Sequence, residues 1–342
     1  MRAGRSPCGC SCLRTPPWAS EGCASYVSES DRKGRKCFAA TKGTSAPEAT
    51  EIGNAAAPSG ALSGPKSARA GSTGVRRVAI GLGLAIVGIG CVFWAPLFSA
   101  LVGLIAVGCL WEFDKLALRK GTPIEFAVAL PAVLAYVVLT AFALIHQYES
   151  ILLGATIIAT LGFATFAHKG RHLARSAYTL LAVLYIGKLV SYFITIRGIP
   201  ETGRELAIYA ILITALTDIF AMLVGVSVGR TPLTQLSPKK TVEGAIGGLA
   251  AGVVMGIAGA LVPQIGLAWW QGAVVGIFTS IAAQAGDLVE SGLKRDARVK
   301  NAGSAIGSHG GVLDRFDSYL FAGPAFYFAL WLVGVVAHGV LL

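Results

Sequence analysis

From Val78 onward the chain consists of apolar runs close to the roughly 20 residues that cross a bilayer as a helix, joined by short polar or basic connections. Inside a membrane every backbone N–H and C=O must find its partner within the segment, so runs of this length fold as helices. Charged residues make up 14 % of the chain against roughly a quarter in a soluble domain, and hydrophobic residues 54 %. The sequence therefore predicts an all-α, polytopic integral membrane protein and excludes one large soluble core. The runs fall at residues 78–94, 96–111, 125–145, 150–167, 176–196, 206–229, 242–262, 267–286 and 316–341, about nine transmembrane helices in all. The first two are short and divided by Ala95-Pro96, which also suits a re-entrant hairpin.

Residues 1–74 differ in kind, being rich in Ser, Gly, Ala, Pro, Lys and Arg without apolar periodicity. Such a segment buries too little surface to offset its ordering entropy, and it is expected to be disordered. It reads either as an organellar transit peptide or as an over-long start, with translation beginning near Val75. The transit reading fits only in part, because Glu21, Glu29, Asp31, Glu48 and Glu51 are acidic. Cys8, Cys10 and Cys12 lie in this segment without the paired spacing of a zinc site.

The net charge of +11 matters through its placement. Arg76 and Arg77 precede the first run, and Lys115, Arg119 and Lys120 follow the second. Lys169, Arg171 and Arg175 follow the fourth, Arg230, Lys239 and Lys240 the sixth, and Lys294, Arg295, Arg298 and Lys300 the eighth. Loops 146–149 and 263–266 carry no Lys or Arg, and in loop 197–205 Arg197 and Arg204 are balanced by Glu201 and Glu205. This alternation predicts a cytoplasmic N-terminus, an external C-terminus and every basic loop on the cytoplasmic side.

Two of the basic loops also carry carboxylates, glycine and serine. Asp218 sits inside an apolar run, where a carboxylate costs about 2.5–3.5 kcal/mol on insertion scales and needs a polar cavity or partner. Beyond it, Gly225 and Gly229 share a helix face, and Ser237-Pro238-Lys239-Lys240-Thr241 leads to Glu243-Gly244. Thr241 is placed to cap the next helix, and two lysines before a helix N-terminus suit phosphate. Farther on, Asp287, Glu290 and Lys294 follow i, i+3, i+7 on one face, with Ser291 and Arg295 beside them. Glu290 and Lys294 also have the spacing of an ordinary surface ion pair. The third element runs from Gly307-Ser308-His309 through Gly310-Gly311, where the backbone can approach a phosphate closely, to Asp314, Arg315 and Asp317.

The segment Ser291–Ser318, SGLKRDARVKNAGSAIGSHGGVLDRFDS, together with the Ser-Pro-Lys-Lys-Thr run, resembles the signature of the phosphatidate cytidylyltransferases (CDP-diacylglycerol synthases). That resemblance implies transfer of a cytidylyl group from CTP to phosphatidate, yielding CDP-diacylglycerol and pyrophosphate for phospholipid synthesis. It implies Asp287 and Asp314 as ligands of Mg2+, with room for a second cation, and Lys294 and Arg295 beside them in the catalytic set. Asp218, Lys239, Lys240, Ser291, His309, Gly310, Gly311, Arg315 and Asp317 would then contact substrates. The chain departs from the pattern at Arg230, at Asn301 and at Ile306-Gly307-Ser308, where lysine, aspartate and a Pro-Gly pair are usual. Alternatives from the same residues are a cytidylyltransferase for an archaeol or polyprenyl phosphate, and a transporter using Asp218 and Asp287 as intramembrane ion sites. The implied host is a bacterial cell membrane, or an organellar one if the N-terminal segment is a transit peptide, and the glycine-rich spans are compatible with a homodimer. The topology predicts that a cysteine placed at residue 265 reacts with an impermeant thiol reagent from outside intact cells, and one placed at residue 239 only after permeabilisation.

Overall fold

A computed structural model describes residues 87–167, 170–299, 303 and 311–336. The expectations for residues 1–74, Asn301, residues 306–308, His309 and Gly310 fall outside the described residues. A helical stretch ends at Val92, and α1 then runs over Ala95–Arg119 with Pro96 in its first turn. There follow α2 (Phe126–Ala141), α3 (Ile145–Ala167), α4 (His172–Arg197), α5 (Gly203–Val228), α6 (Val242–Ala258), α7 (Trp269–Asp296) and α8 (Leu313–Leu332). The protein is an all-helical, polytopic membrane protein: among the described residues six helices, α1 and α3 to α7, are long and apolar enough to cross a bilayer. α2 is shorter and equally apolar, and α8 opens on a charged turn.

Each apolar run from the second onward corresponds to one of these helices, with shifted ends. α1 continues eight residues beyond the expected end at 111, so Lys115 and Arg119 belong to its last turns and only Lys120 begins the loop. The Lys115 ammonium lies 3.1 Å from the centre of the Trp111 ring, so the charge stays near the helix surface and the helix need not end there. α7 likewise runs ten residues past 286, its last turn carrying Lys294 and Arg295 where cations complement the helix dipole. α4 contains a π-helical turn at Val183–Lys188, which no 3.6-residue pattern discloses.

The basic segments gather at one end of the bundle. Lys120, after α1, pairs with Asp296 at the end of α7. Arg171, before α4, donates to the carbonyl of Gly121 at 3.2 Å, and Arg295 of α7 donates to the Leu236 carbonyl at 3.3 Å. Arg197, at the far end of α4, instead donates to the Val92 carbonyl at 2.6 Å.

α5, α6 and α7 pack through small residues, as expected where lipid supplies no hydrophobic drive between helices. Thr217 and Ser280 share a buried hydrogen bond of 2.9 Å between α5 and α7. At Gly276 of α7 a Cβ would stand 2.5 Å from the Gly252 carbonyl oxygen of α6, closer than van der Waals contact allows. In an unpacked helix Gly→Ala gains up to about 1 kcal/mol. Gly276→Ala is expected to do the reverse, costing roughly 1–3 kcal/mol by overpacking, which thermal unfolding in detergent measures.

Candidate functional site

The loop after α5 is a narrow clasp. Leu233 N–H donates to the Lys240 carbonyl at 2.7 Å and Val242 N–H to the Thr231 carbonyl at 2.9 Å, bringing Pro232 beside Thr241. Thr241 then caps α6, its hydroxyl oxygen accepting from Gly244 N–H at 3.1 Å. Glu243 turns back on the clasp, accepting from Arg230 N–H at 3.1 Å and Thr231 N–H at 3.2 Å. A Cβ on Gly225 would lie 3.1 Å from the Thr241 hydroxyl oxygen, so the small residues of α5 let the clasp sit tightly on the helix. The result is a fixed route by which Lys240 reaches α7, where its ammonium meets Asp287 Oδ2 at 2.5 Å.

α7 supplies Asp287, Glu290 and Lys294 from one face. α8 begins at Leu313 and presents Asp314 and Asp317 one turn apart. These two helices approach closely at Gly286, where a Cβ would stand 2.5 Å from the Asp317 carbonyl oxygen. As a consequence Asp287, Glu290 and Asp317 each offer a carboxylate oxygen, all within 4.8 Å of one another. Glu290 and Asp317 are buried, whereas Asp287 is the more open of the three.

The remaining groups surround this cluster. Lys294 bridges it to the start of α8, pairing with Glu290 and donating to Asp314 Oδ1 at 2.8 Å. The second oxygen of Asp314 accepts from Gly311 N–H at 2.8 Å. Asp218 of α5 accepts from the Ser318 hydroxyl at 3.2 Å, and Ser318 N–H donates to Asp317 Oδ1 at 2.8 Å. Ser291 is half-buried on α7, while Lys239, Arg295 and Arg315 are exposed at the basic end.

Asp287, Glu290 and Asp317 converge, and Asp314 lies beside them, its carboxyl against that of Glu290 and its Oδ1 accepting from Lys294. Asp317 sets its backbone carbonyl against Gly286 of α7, whereas Asp314 lies by Lys294 and the Gly311 amide. The Glu290–Lys294 pair is not a surface pair, since Glu290 has no exposed area. Two residues go unnoticed in the sequence. Glu112 is a fully buried carboxylate in α1, inside what reads as the end of a span. Tyr185, in the π-helical turn of α4, packs its ring on Phe113 and Phe321, and its buried hydroxyl has no hydrogen-bond partner among the described residues.

The set suits a hard cation. Magnesium takes oxygen ligands and is bound through one or two carboxylates together with substrate phosphates. Two ammonium groups already contact two of the three acids, Lys240 at Asp287 and Lys294 at Glu290, which shows how much positive charge the cluster calls for. Around it stand donors for phosphate oxygens at the basic end, and outward on α5 the apolar side chains of Ile219, Met222 and Leu223 are exposed, as a lipid-facing wall requires.

Comparison with known proteins gives a consistent picture. A profile of the "Cytidylyltransferase family" matches residues 75–333. The chain is 35 % identical over 253 residues to the phosphatidate cytidylyltransferase of Bacillus subtilis, covering 68 % of this chain and 92 % of that protein. It is 32 % identical over 268 residues to the phosphatidate cytidylyltransferase of Synechocystis, covering 70 % and 90 % of the two chains. With that of Staphylococcus haemolyticus it shares 33 % over 229 residues, covering 67 % and 86 %.

Lys294 compensates two carboxylates, one of them fully buried. Lys294→Met is expected to cost about 3–5 kcal/mol in thermal unfolding, the cost of stranding a buried charge, and Lys294→Arg distinctly less.

Proposed function

The chain belongs to the cytidylyltransferase family, and we propose on that premise that it joins CTP to phosphatidate, forming CDP-diacylglycerol and releasing pyrophosphate. The observation that carries this reading is the meeting of Asp287, Glu290 and Asp317 with Lys240 and Lys294 at the basic end of a membrane bundle. In the reaction an oxygen of the lipid phosphate attacks the α-phosphorus of CTP in line, the bond to the bridging oxygen breaks, and pyrophosphate leaves with that electron pair. The attacking oxygen is already ionised, so no strong base is needed. The barrier lies in bringing two polyanions together, and positioning with electrostatic stabilisation lowers it.

Lys240 and Lys294 are placed to neutralise phosphate oxygens once substrates enter, with Lys239, Arg295 and Arg315 at the mouth. Asp287, Glu290 and Asp317 would hold Mg2+, which when bound supplies charge neutralisation at the transferring phosphoryl group. Asp314, fixed by Lys294 and the Gly311 amide, keeps Lys294 oriented, and Asp218 with Ser318 fixes the Asp317 side of the cluster. The exposed apolar side chains of α5 leave the site a lateral way in for a substrate carrying acyl chains. With the basic end facing the cytoplasm, where nucleoside triphosphates are found, the protein would work from the inner leaflet of a bacterial cell membrane.

The test is incubation of the purified protein with labelled CTP, Mg2+ and either phosphatidate or a polyprenyl phosphate. The expected product is a liponucleotide from phosphatidate; product from the polyprenyl phosphate alone reassigns the lipid, and no product from either removes the reading. Asp287→Asn and Asp317→Asn are each expected to lower turnover by on the order of 100-fold or more at unchanged expression.

A further inference from the structure

Seventeen residues into α1, between Trp111 and Phe113, Glu112 is fully buried in a helix that crosses the membrane. A carboxylate in such surroundings persists only where it is hydrogen-bonded or paired. Its partner comes from far along the chain: Leu313 N–H, the first amide of α8, donates to Glu112 Oε2 at 2.8 Å. α8 has no side-chain cap of its own, because the N-cap residue is Val312. Glu112 fills that place from another helix and sets a negative charge against the positive end of the α8 dipole.

The backbone on either side of residues 304–310 is fitted to the same carboxylate. Gly303 and Gly311 both lie against it, and at each a Cβ would overlap the Glu112 side chain. Close approach to the carboxylate leaves room for no side chain at either position. One turn earlier on α1, a Cβ on Gly108 would come 3.2 Å from the Val312 side chain, so this face of α1 receives the whole entry to α8. The turn so held is the one that carries Asp314 and Asp317 into the carboxylate site.

We propose that Glu112 is a positioning residue of the transfer site, a cap supplied from α1 that fixes the first turn of α8 and thereby the placement of Asp314 and Asp317. Its effect on turnover rests on the cytidylyl-transfer reading; its anchoring of α8 does not. Glu112 touches no reacting atom. It acts through the helix start, so its loss should slow the chemical step more than it weakens nucleotide binding.

The experiment uses the purified full-length protein in lipid nanodiscs, with amide hydrogen exchange and steady-state kinetics measured in parallel. In Glu112→Ala, exchange across residues 311–317 is expected to speed up at least about tenfold, the factor that loss of one charge-assisted hydrogen bond gives, while α2 and α3 keep their wild-type rates. The kcat is expected to fall on the order of 100-fold with KM for CTP changed less than about threefold, as for misplaced reacting groups. Glu112→Gln keeps an oxygen toward Leu313 N–H and should fall between wild type and alanine in both measurements. Should Glu112→Ala not fold, Gly311→Ala displaces the carboxylate with its charge intact and should give the same local exchange and the same fall in kcat. Wild-type exchange across 311–317 in whichever of these two variants folds overturns the proposal, as does an equal rise of exchange in α2 and α3. A wild-type protein without cytidylyl transfer would overturn the functional reading alone, since the exchange comparison still decides whether Glu112 anchors α8.

Discussion

Burying carboxylates at the end of a membrane bundle is the constraint around which this molecule is organised. A charge removed from water costs several kcal/mol even after relaxation, and each one here has a specific group placed against it. Lys240 is brought to Asp287 by the clasp after α5, and Lys294 is shared by Glu290 and Asp314. Backbone amides at the start of α8 answer Asp314 and Glu112. The acids on α7 and α8 cannot be understood apart from Lys240 in the loop before α6, Lys294 on α7 itself, and the contacts that Asp218 of α5 and Glu112 of α1 make to α8. That dependence makes a single site out of segments separated by up to two hundred residues.

The chemistry of the site and the helices of the fold impose the same requirement on one another. A polyanionic nucleotide and a phosphate-bearing lipid need concentrated positive charge, and the acids need it too. A cation that compensates a carboxylate in one state can meet a phosphate in another without a change of fold. The clasp residues Arg230 and Thr231, tied by their amides to Glu243, hold Lys240 at the site without relying on the flexible lysine stem alone.

Much of this was legible in the sequence because charge stands out against an apolar chain. The helices from α1 to α8, the cap at Thr241 and the shared face of Asp287, Glu290 and Lys294 all follow from spacing and residue type. Helix ends were less legible, since Lys115, Arg119, Lys294 and Arg295 resemble loop residues although the backbone beneath them is helical. Which acids converge depended on register between α7 and α8, set by the contact at Gly286, and no local pattern encodes a contact between distant helices. Glu112 escaped notice because one acid at the edge of an apolar run looks like the boundary itself. Tyr185 escaped because a π-helical turn rotates a side chain away from the face that regular periodicity assigns it.

The contact of Gly286 with the Asp317 backbone carries a further consequence. Two helices that touch main chain to main chain have almost no freedom to slide or separate, so the acid-bearing pair behaves as a fixed jaw. Under the proposed reaction, variation among lipid tails would be absorbed elsewhere, along the exposed apolar flank of α5. Headgroup geometry would then be read strictly and hydrocarbon length loosely, a division of labour that follows from one missing methyl group.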